Sequence, residues 1–157
     1  IFGGRSFAIW DSDGNLVFDS GSDFAEIMAQ EIPNGFNSDD EKNEKDSESE
    51  EAGAEVEGVA IGEIDGTLNA FIGLEKPGGV MIYDISTPRD AQFVDYINNR
   101  DFDEPLQDED GTPNPAAGDS GPEGLEFIAG GDSPTGNPVL AVGNEISGSV
   151  TLWEFGG

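Results

Sequence analysis

Residues 57–98 read EGVAIGEIDGTLNAFIGLEKPGGVMIYDISTPRDAQFVDYIN, and this stretch decides the fold. It holds four short apolar runs: Val59–Ile61, Ala70–Leu74, Val80–Ile85 and Phe93–Ile97. Turn signals separate them, namely Asp65-Gly66, Pro77-Gly78-Gly79 and Thr87-Pro88-Arg89-Asp90. Runs of this length, rich in Val, Ile, Phe and Tyr and punctuated by Gly and Pro, predict β-strands. Four consecutive strands on short links predict an antiparallel meander, the unit of a β-propeller blade.

The pattern recurs on both sides. Val80-Met81-Ile82-Tyr83-Asp84 matches Phe7-Ala8-Ile9-Trp10-Asp11 and Val150-Thr151-Leu152-Trp153-Glu154, which places Tyr83 at offsets of 73 and 70 from Trp10 and Trp153. Phe71–Glu75 matches Ala141–Glu145 at offset 70, and Glu57-Gly58-Val59 matches Glu123-Gly124-Leu125 at offset 66. Such drift fits equivalent strands joined by loops of variable length. The expected fold is therefore all-β. It is a partial β-propeller of about two to three blades of four-stranded antiparallel meanders, with one short helix.

In that reading 1–20 supply the last two strands of a blade and 21–36 a short helix and connection. An acidic low-complexity insertion spans 37–55, a complete blade 56–98, a long polar loop 99–122 and a partial blade 123–157. Rings close with about four to eight blades, so the chain reads as the terminal piece of a larger ring. The remaining blades of the same protein, or a second copy, would complete it.

Composition excludes several chemistries. The 157 residues carry 34 acids against 6 bases, a formal net charge of −28, and contain no cysteine and no histidine. Disulfides, thiol catalysis, zinc sites of the usual kind and histidine general bases are excluded. The charge argues against nucleic-acid binding and favours attraction of cations. No apolar run is long enough to insert this segment in a membrane. An acidic, lysine-poor, cysteine-free β-protein points to an extracellular, periplasmic or cell-surface setting.

Locally, residues 5–19 predict a hairpin with Asp13-Gly14 at its turn. Asp11, Asp13 and Asn15 resemble the start of a calcium loop, but the later acidic position is missing, so a polar turn is the reading. Residues 22–32 predict a helix capped by Ser22, with Phe24, Ile27, Met28 and Ile32 on one face and Pro33 ending it. Residues 37–55, with nine acids and two lysines, have no apolar period and predict a disordered or solvated excursion.

Three constellations could carry chemistry. Glu57 and Glu123 each open a first strand and precede a glycine. Glu75 and Glu145 each follow a second strand, with Asn144 beside the latter. If strand starts and ends share a rim, these four carboxylates meet at one channel mouth, where a hard cation such as calcium would find its oxygens. The third is basic: Arg5 in Gly3-Gly4-Arg5, and Arg100 after Asn98 and Asn99. A salt bridge with a carboxylate such as Asp101 is the structural expectation for Arg100; a bidentate clamp on phosphate or carboxylate is the functional one.

Several motifs together resemble the choice-of-anchor I family of secreted bacterial proteins. They are Gly3-Gly4-Arg5-Ser6-Phe7, Glu57-Gly58-Val59, residues 70–75, residues 78–84, residues 95–102 and Gly121–Leu125. Members are similar to atypical large alkaline phosphatases and to mesenchyme-specific cell-surface glycoproteins, and the Glu-Gly strand starts also resemble those of phytase-like propellers. The resemblance implies that the chain is the C-terminal part of a larger ring, the family's propeller-like domain, and that it is a calcium-dependent phosphoesterase. Calcium would be held by Glu57, Glu75, Glu123 and Glu145. Glu57, Glu123 and Arg100 would be catalytic, and Arg5, Asn98, Asn99 and Asn144 would bind the phosphate ester. The competing reading is a non-catalytic extracellular adhesion or interaction module. The position of Arg100 separates the two: at the carboxylate mouth it serves an enzyme, and paired elsewhere it serves a scaffold.

Overall fold

The computed structural model describes residues 4–156; Gly3 of the Gly3-Gly4-Arg5 motif and the terminal Gly157 lie outside the described residues. The chain is mostly β, with three separate antiparallel sheets and one short helix. A first sheet pairs β1 (Ala8–Trp10) with β2 (Leu16–Asp19). The helix α1 (Asp23–Glu31) follows. The middle sheet runs in sequence order through β3 (Val56–Ile64), β4 (Thr67–Leu74), β5 (Val80–Asp84) and β6 (Gln92–Ile97). The last sheet contains β7 (Pro122–Ile128), β8 (Val139–Asn144) and β9 (Ser149–Glu154). Sheets of two, four and three strands match the strand count expected from the repeated motifs. Among the described residues they do not join into a closed barrel.

The repetition extends to the irregularities. The register of β3 on β4 shifts between Val56 and Val59, and that of β7 on β8 between Pro122 and Gly124. Both shifts fall at the Glu-Gly pair. A second register shift falls opposite Ile9 and Trp10 of β1 and opposite Ile82 and Tyr83 of β5, where β2 and β6 carry the extra residues Val17 and Val94, again at equivalent places. Bulges bend a strand and increase its twist. Equal bulges at equal places give the sheets the same curvature, which lets each lie on the next.

Strand alternation then sorts side chains into two cores. Met81 and Tyr83 face the first sheet, where they join Ala70, Ile72, Phe24 and Met28, with Phe7, Ile9 and Phe18 packed against them. The Phe7 and Tyr83 rings meet edge-on at 4.8 Å. Val80 and Ile82 face the other way, into a core with Phe71, Leu140 and Val142 that Leu125, Phe127, Trp153 and Phe155 cover. Phe24 and Met28 are the buried residues of α1, so its apolar stripe seals the first core as its spacing predicts. Ser22 makes no side-chain cap to the backbone; its hydroxyl donates instead to Glu26 Oε1 at 2.7 Å.

Close sheet approach depends on two glycines of β3. A β-carbon on Gly58 would stand 2.5 Å from Leu125 Cδ1 and 2.9 Å from the Glu123 carbonyl oxygen. One on Gly62 would stand 2.1 Å from the Phe127 ring. The glycine beside Glu57 is therefore a seat for the neighbouring sheet.

The expectation for 37–55 is overturned. This segment folds into turns and buries Asn37, Ser38, Asp40, Glu48 and Ala54. It has little apolar surface to bury, as its composition indicates. Distant cationic side chains and backbone hydrogen bonds order it instead. The hairpin turn at 11–15 is the polar turn expected: Asp11 Oδ1 accepts from the backbone N–H groups of Asp13 and Asn15 at 3.0 and 2.8 Å.

Candidate functional site

Arg100 organises the most elaborate polar centre of the molecule. It follows β6 and is buried. Nε donates to Asn43 Oδ1 at 3.0 Å. Nη1 donates to the Lys76 carbonyl at 2.8 Å and to Ser120 Oγ at 3.2 Å. Nη2 donates to the Asp39 carbonyl at 2.6 Å, to Asn43 Oδ1 at 2.8 Å and to the Lys42 carbonyl at 3.3 Å. The guanidinium also lies 5.0 Å from the Phe102 ring centroid. A guanidinium has five N–H donors, and these acceptors engage all three nitrogens. Burial lowers its pKa to about 10, so it remains cationic at neutral pH.

The expected ion pair with Asp101 is not formed. Among the described residues the salt bridges are those of Lys76, to Asp40 at 3.0 Å and Glu55 at 3.5 Å. The reason is geometric. Backbone carbonyls of the 39–43 turn converge on the guanidinium, while Asp101 is exposed and receives the Asp103 N–H at 2.9 Å.

Two further candidate residues, Asn98 beside this clasp and the exposed Arg5, also bond within the chain. Asn98 Nδ2 donates to Tyr96 Oη at 2.9 Å and to the Pro77 carbonyl at 3.3 Å, while its Oδ1 accepts the Arg100 N–H at 2.9 Å. Arg5 sends Nη2 to the Ser49 carbonyl at 2.8 Å and the Glu51 carbonyl at 3.3 Å. Arg100 thus holds the acidic segment at 39–43, Arg5 at Ser49 and Glu51, and Lys76 at Asp40 and Glu55.

The four glutamates divide. Glu57 and Glu75 come together: burial, a side-chain hydrogen bond with Glu57 and the charges of Glu55 and Glu57 raise the Glu75 pKa to about 7, against the opposing pull of Lys76. Glu123 and Glu145 are both exposed. Among the described residues no three carboxylates are arranged to hold a metal ion. Glu57 and Glu123 stand at the bulges of β3 and β7, where Gly58 packs against the Glu123 carbonyl oxygen and Leu125.

A second polar network links Asn99 with Asn144, two residues that the sequence places 45 apart without connection. Asn99 Nδ2 donates to Asp119 Oδ2 at 2.7 Å. Asp119 also accepts from the hydroxyls of Ser149 and Thr151. Asn144 Nδ2 donates to those same hydroxyls at 3.1 and 3.2 Å. Although partial burial opposes it, these donors hold the Asp119 carboxyl below its usual pKa. Asp119 and Ser120 were not legible as polar hubs: each reads as one more small polar residue in a Pro- and Gly-rich loop.

The fold and its polar centres define a repeat of antiparallel sheets clasped by an acidic insertion. The chain belongs to the choice-of-anchor I domain family, whose model matches residues 1–88. It is similar to Gigasin-3a of Magallana gigas, 27% identical over 172 residues that cover 99% of this chain and 57% of the relative. The chain thus spans little more than half of that relative's length. No solved structure matches it. No helix of the described residues is long and apolar enough to cross a membrane.

Proposed function

We propose that this chain is a run of consecutive blades of an extracellular, propeller-like module that presents surfaces for interaction and does no phosphoester chemistry. One observation carries the reading: the guanidinium of Arg100 is committed on every nitrogen to the chain's own acceptors. A phosphate clamp needs free, convergent donors. Arg100 sits instead among the 39–43 turn, Lys76 and Ser120, where it orders an insertion. Membership of the choice-of-anchor I family supports a secreted or surface location. The repeated bulges and the like-for-like stacking of sheets support a propeller arrangement.

Turnover of a phosphomonoester by the wild-type chain, with calcium present, tests this directly. The expected result is no hydrolysis above background, and none lost in Glu57→Gln/Glu75→Gln. Hydrolysis that disappears in that double variant would restore the phosphoesterase reading.

A further inference from the structure

The long loop of residues 99–122 closes against the start of β9 and leaves a cavity of about 370 Å³ between them. Its polar wall holds Asn99, Asn114, Asp119 and Thr151, and its apolar wall Pro113 and Pro115. That volume lies within the ~300–1,000 Å³ of small-molecule sites. The cavity belongs to the interior of the chain's own packing. Thr151 alternates along β9 with the exposed Val150 and Leu152 and shares its side of the strand with Trp153, which packs on the second core. The loop is held in place on several sides. The Asp101 N–H donates to the Ala117 carbonyl at 2.9 Å, and Asn114 Oδ1 accepts the Ala116 N–H at 3.0 Å, capping the 3-10 turn Pro115–Ala117. Asp119 binds the hydroxyls of Ser149 and Thr151 on β9.

The hydrogen-bond count that closes Arg100 to a ligand leaves this cavity open. A side-chain amide carries two N–H donors, and a carboxylate accepts at about four sites. Asn99 Nδ2 makes one bond, to Asp119 Oδ2 at 2.7 Å, and Asn114 Nδ2 makes one, to the Pro105 carbonyl at 2.8 Å. Among the described residues neither second N–H meets an acceptor. Asp119 takes Ser149 on Oδ1 and both Asn99 and Thr151 on Oδ2, which leaves an acceptor site on Oδ1. A spare donor and a spare acceptor thus stand side by side on the exposed Asn99 and the half-buried Asp119. Two neighbouring hydroxyls of a sugar ring present the complement, since one can accept while the other donates. The 2.7 Å between Nδ2 and Oδ2 is close to the spacing of gauche oxygens in a vicinal diol. The Asp119 carboxylate stays ionised and repels anionic ligands, which selects for a neutral one. The proline rings supply C–H surface for the apolar face of a pyranose.

We propose that this cavity binds a neutral saccharide through a vicinal diol, with Asn99 donating to one hydroxyl and Asp119 accepting from its neighbour. Asn114 donates to a third oxygen, and Pro113 and Pro115 pack against the ring. Recognition is by direct hydrogen bonds and needs no calcium. The inference rests on the interaction-module reading above and names the class of ligand for it.

NMR titration of the isotope-labelled chain with the methyl glycosides of mannose, galactose, glucose and N-acetylglucosamine tests it, once in EDTA and once with calcium. At least one glycoside should move the side-chain amide signals of Asn99 and Asn114 to saturation in both buffers. Its analogue lacking one hydroxyl of the bound diol should bind about tenfold more weakly, the loss of one hydrogen bond to a charged or amide partner. Asn99→Ala should weaken binding by a similar factor, and Arg89→Ala, outside the cavity, should match wild type. The deoxy series uses wild-type protein, so it holds even where Asn99→Ala loosens the loop. Four glycosides that leave both amides unmoved, shifts confined to other residues, binding seen only with calcium, or equal affinity for every monodeoxy analogue would each overturn the proposal. The titration reads binding alone. Phosphomonoester hydrolysis would sink the non-catalytic reading and leave a positive titration standing, whereas unmoved amides would sink the saccharide site and leave that reading standing.

Discussion

The Phe127 ring fills the space that a β-carbon on Gly62 would need, with only 2.1 Å between them. The same ring stacks at 5.3 Å on Phe71, so it cannot retreat without opening the second core. Gly62→Ala should therefore destabilise by overpacking, by about 1–3 kcal/mol. Combining it with Phe127→Leu should cost less than the sum of the two single changes. Chemical denaturation of the four proteins of this double-mutant cycle measures the coupling, and strict additivity would show that the slot is not shared.

Removing the clasp should loosen the insertion before it loosens the sheets. Arg100→Ala leaves the carbonyls of Asp39 and Lys76 without their donor, a loss of about 3 kcal/mol. Arg100→Lys keeps the charge but not the fork, and should recover only part of it. Hydrogen exchange should report faster opening of residues 37–48 in both variants, with β4 and β5 protected as in wild type.

Glu75 makes the stability of the fold depend on pH in an unusual direction for a carboxylate. Its folded pKa of about 7 lies above the ordinary 4.5, so between these values the native state holds a proton that the unfolded chain has released. That contribution is fully present below about pH 4.5 and is lost as pH rises through about 7. Glu75→Gln should match wild type near pH 4.5 and be the more stable protein at pH 8. Thermal denaturation of the pair across this range checks the sign; a benefit confined to acid pH would contradict it.

Asp119 ties the 99–122 loop to β9. Asp119→Ala strips an acceptor from Asn99, Ser149 and Thr151 together, and should cost about 1–3 kcal/mol. Asp119→Asn should be milder, since its amide oxygen still accepts. Comparing midpoints of denaturation for the two variants separates lost packing from lost acceptance.

The strands and their grouping were readable because the evidence for them is local. Val80–Asp84 carries its own alternation and its own flanking turns, and Phe7–Asp11 and Val150–Glu154 repeat it. Even the bulges leave a trace, in the Glu-Gly pairs. The site was far less readable. Glu57 beside a glycine looks the same whether the glycine admits a ligand or a leucine from the next sheet, and only Leu125 above Gly58 decides. The acceptors of Arg100 Nε and Nη2 lie 57–61 residues earlier in the chain, in a segment whose composition resembles disorder. No periodicity or spacing records that meeting.

The long reach of Arg100 also sets an order of events. Strand pairs in the middle sheet close over short turns, whereas the acidic segment waits for Lys76, Arg100 and Ser120, up to 80 residues away, to be in place. Contacts so remote in sequence form late, after loop closure over the intervening chain. Interactions absent from the transition state slow unfolding and leave the folding rate nearly unchanged. The insertion is therefore expected to act as a kinetic latch, lengthening the time the assembled sheets persist with little change in the folding rate.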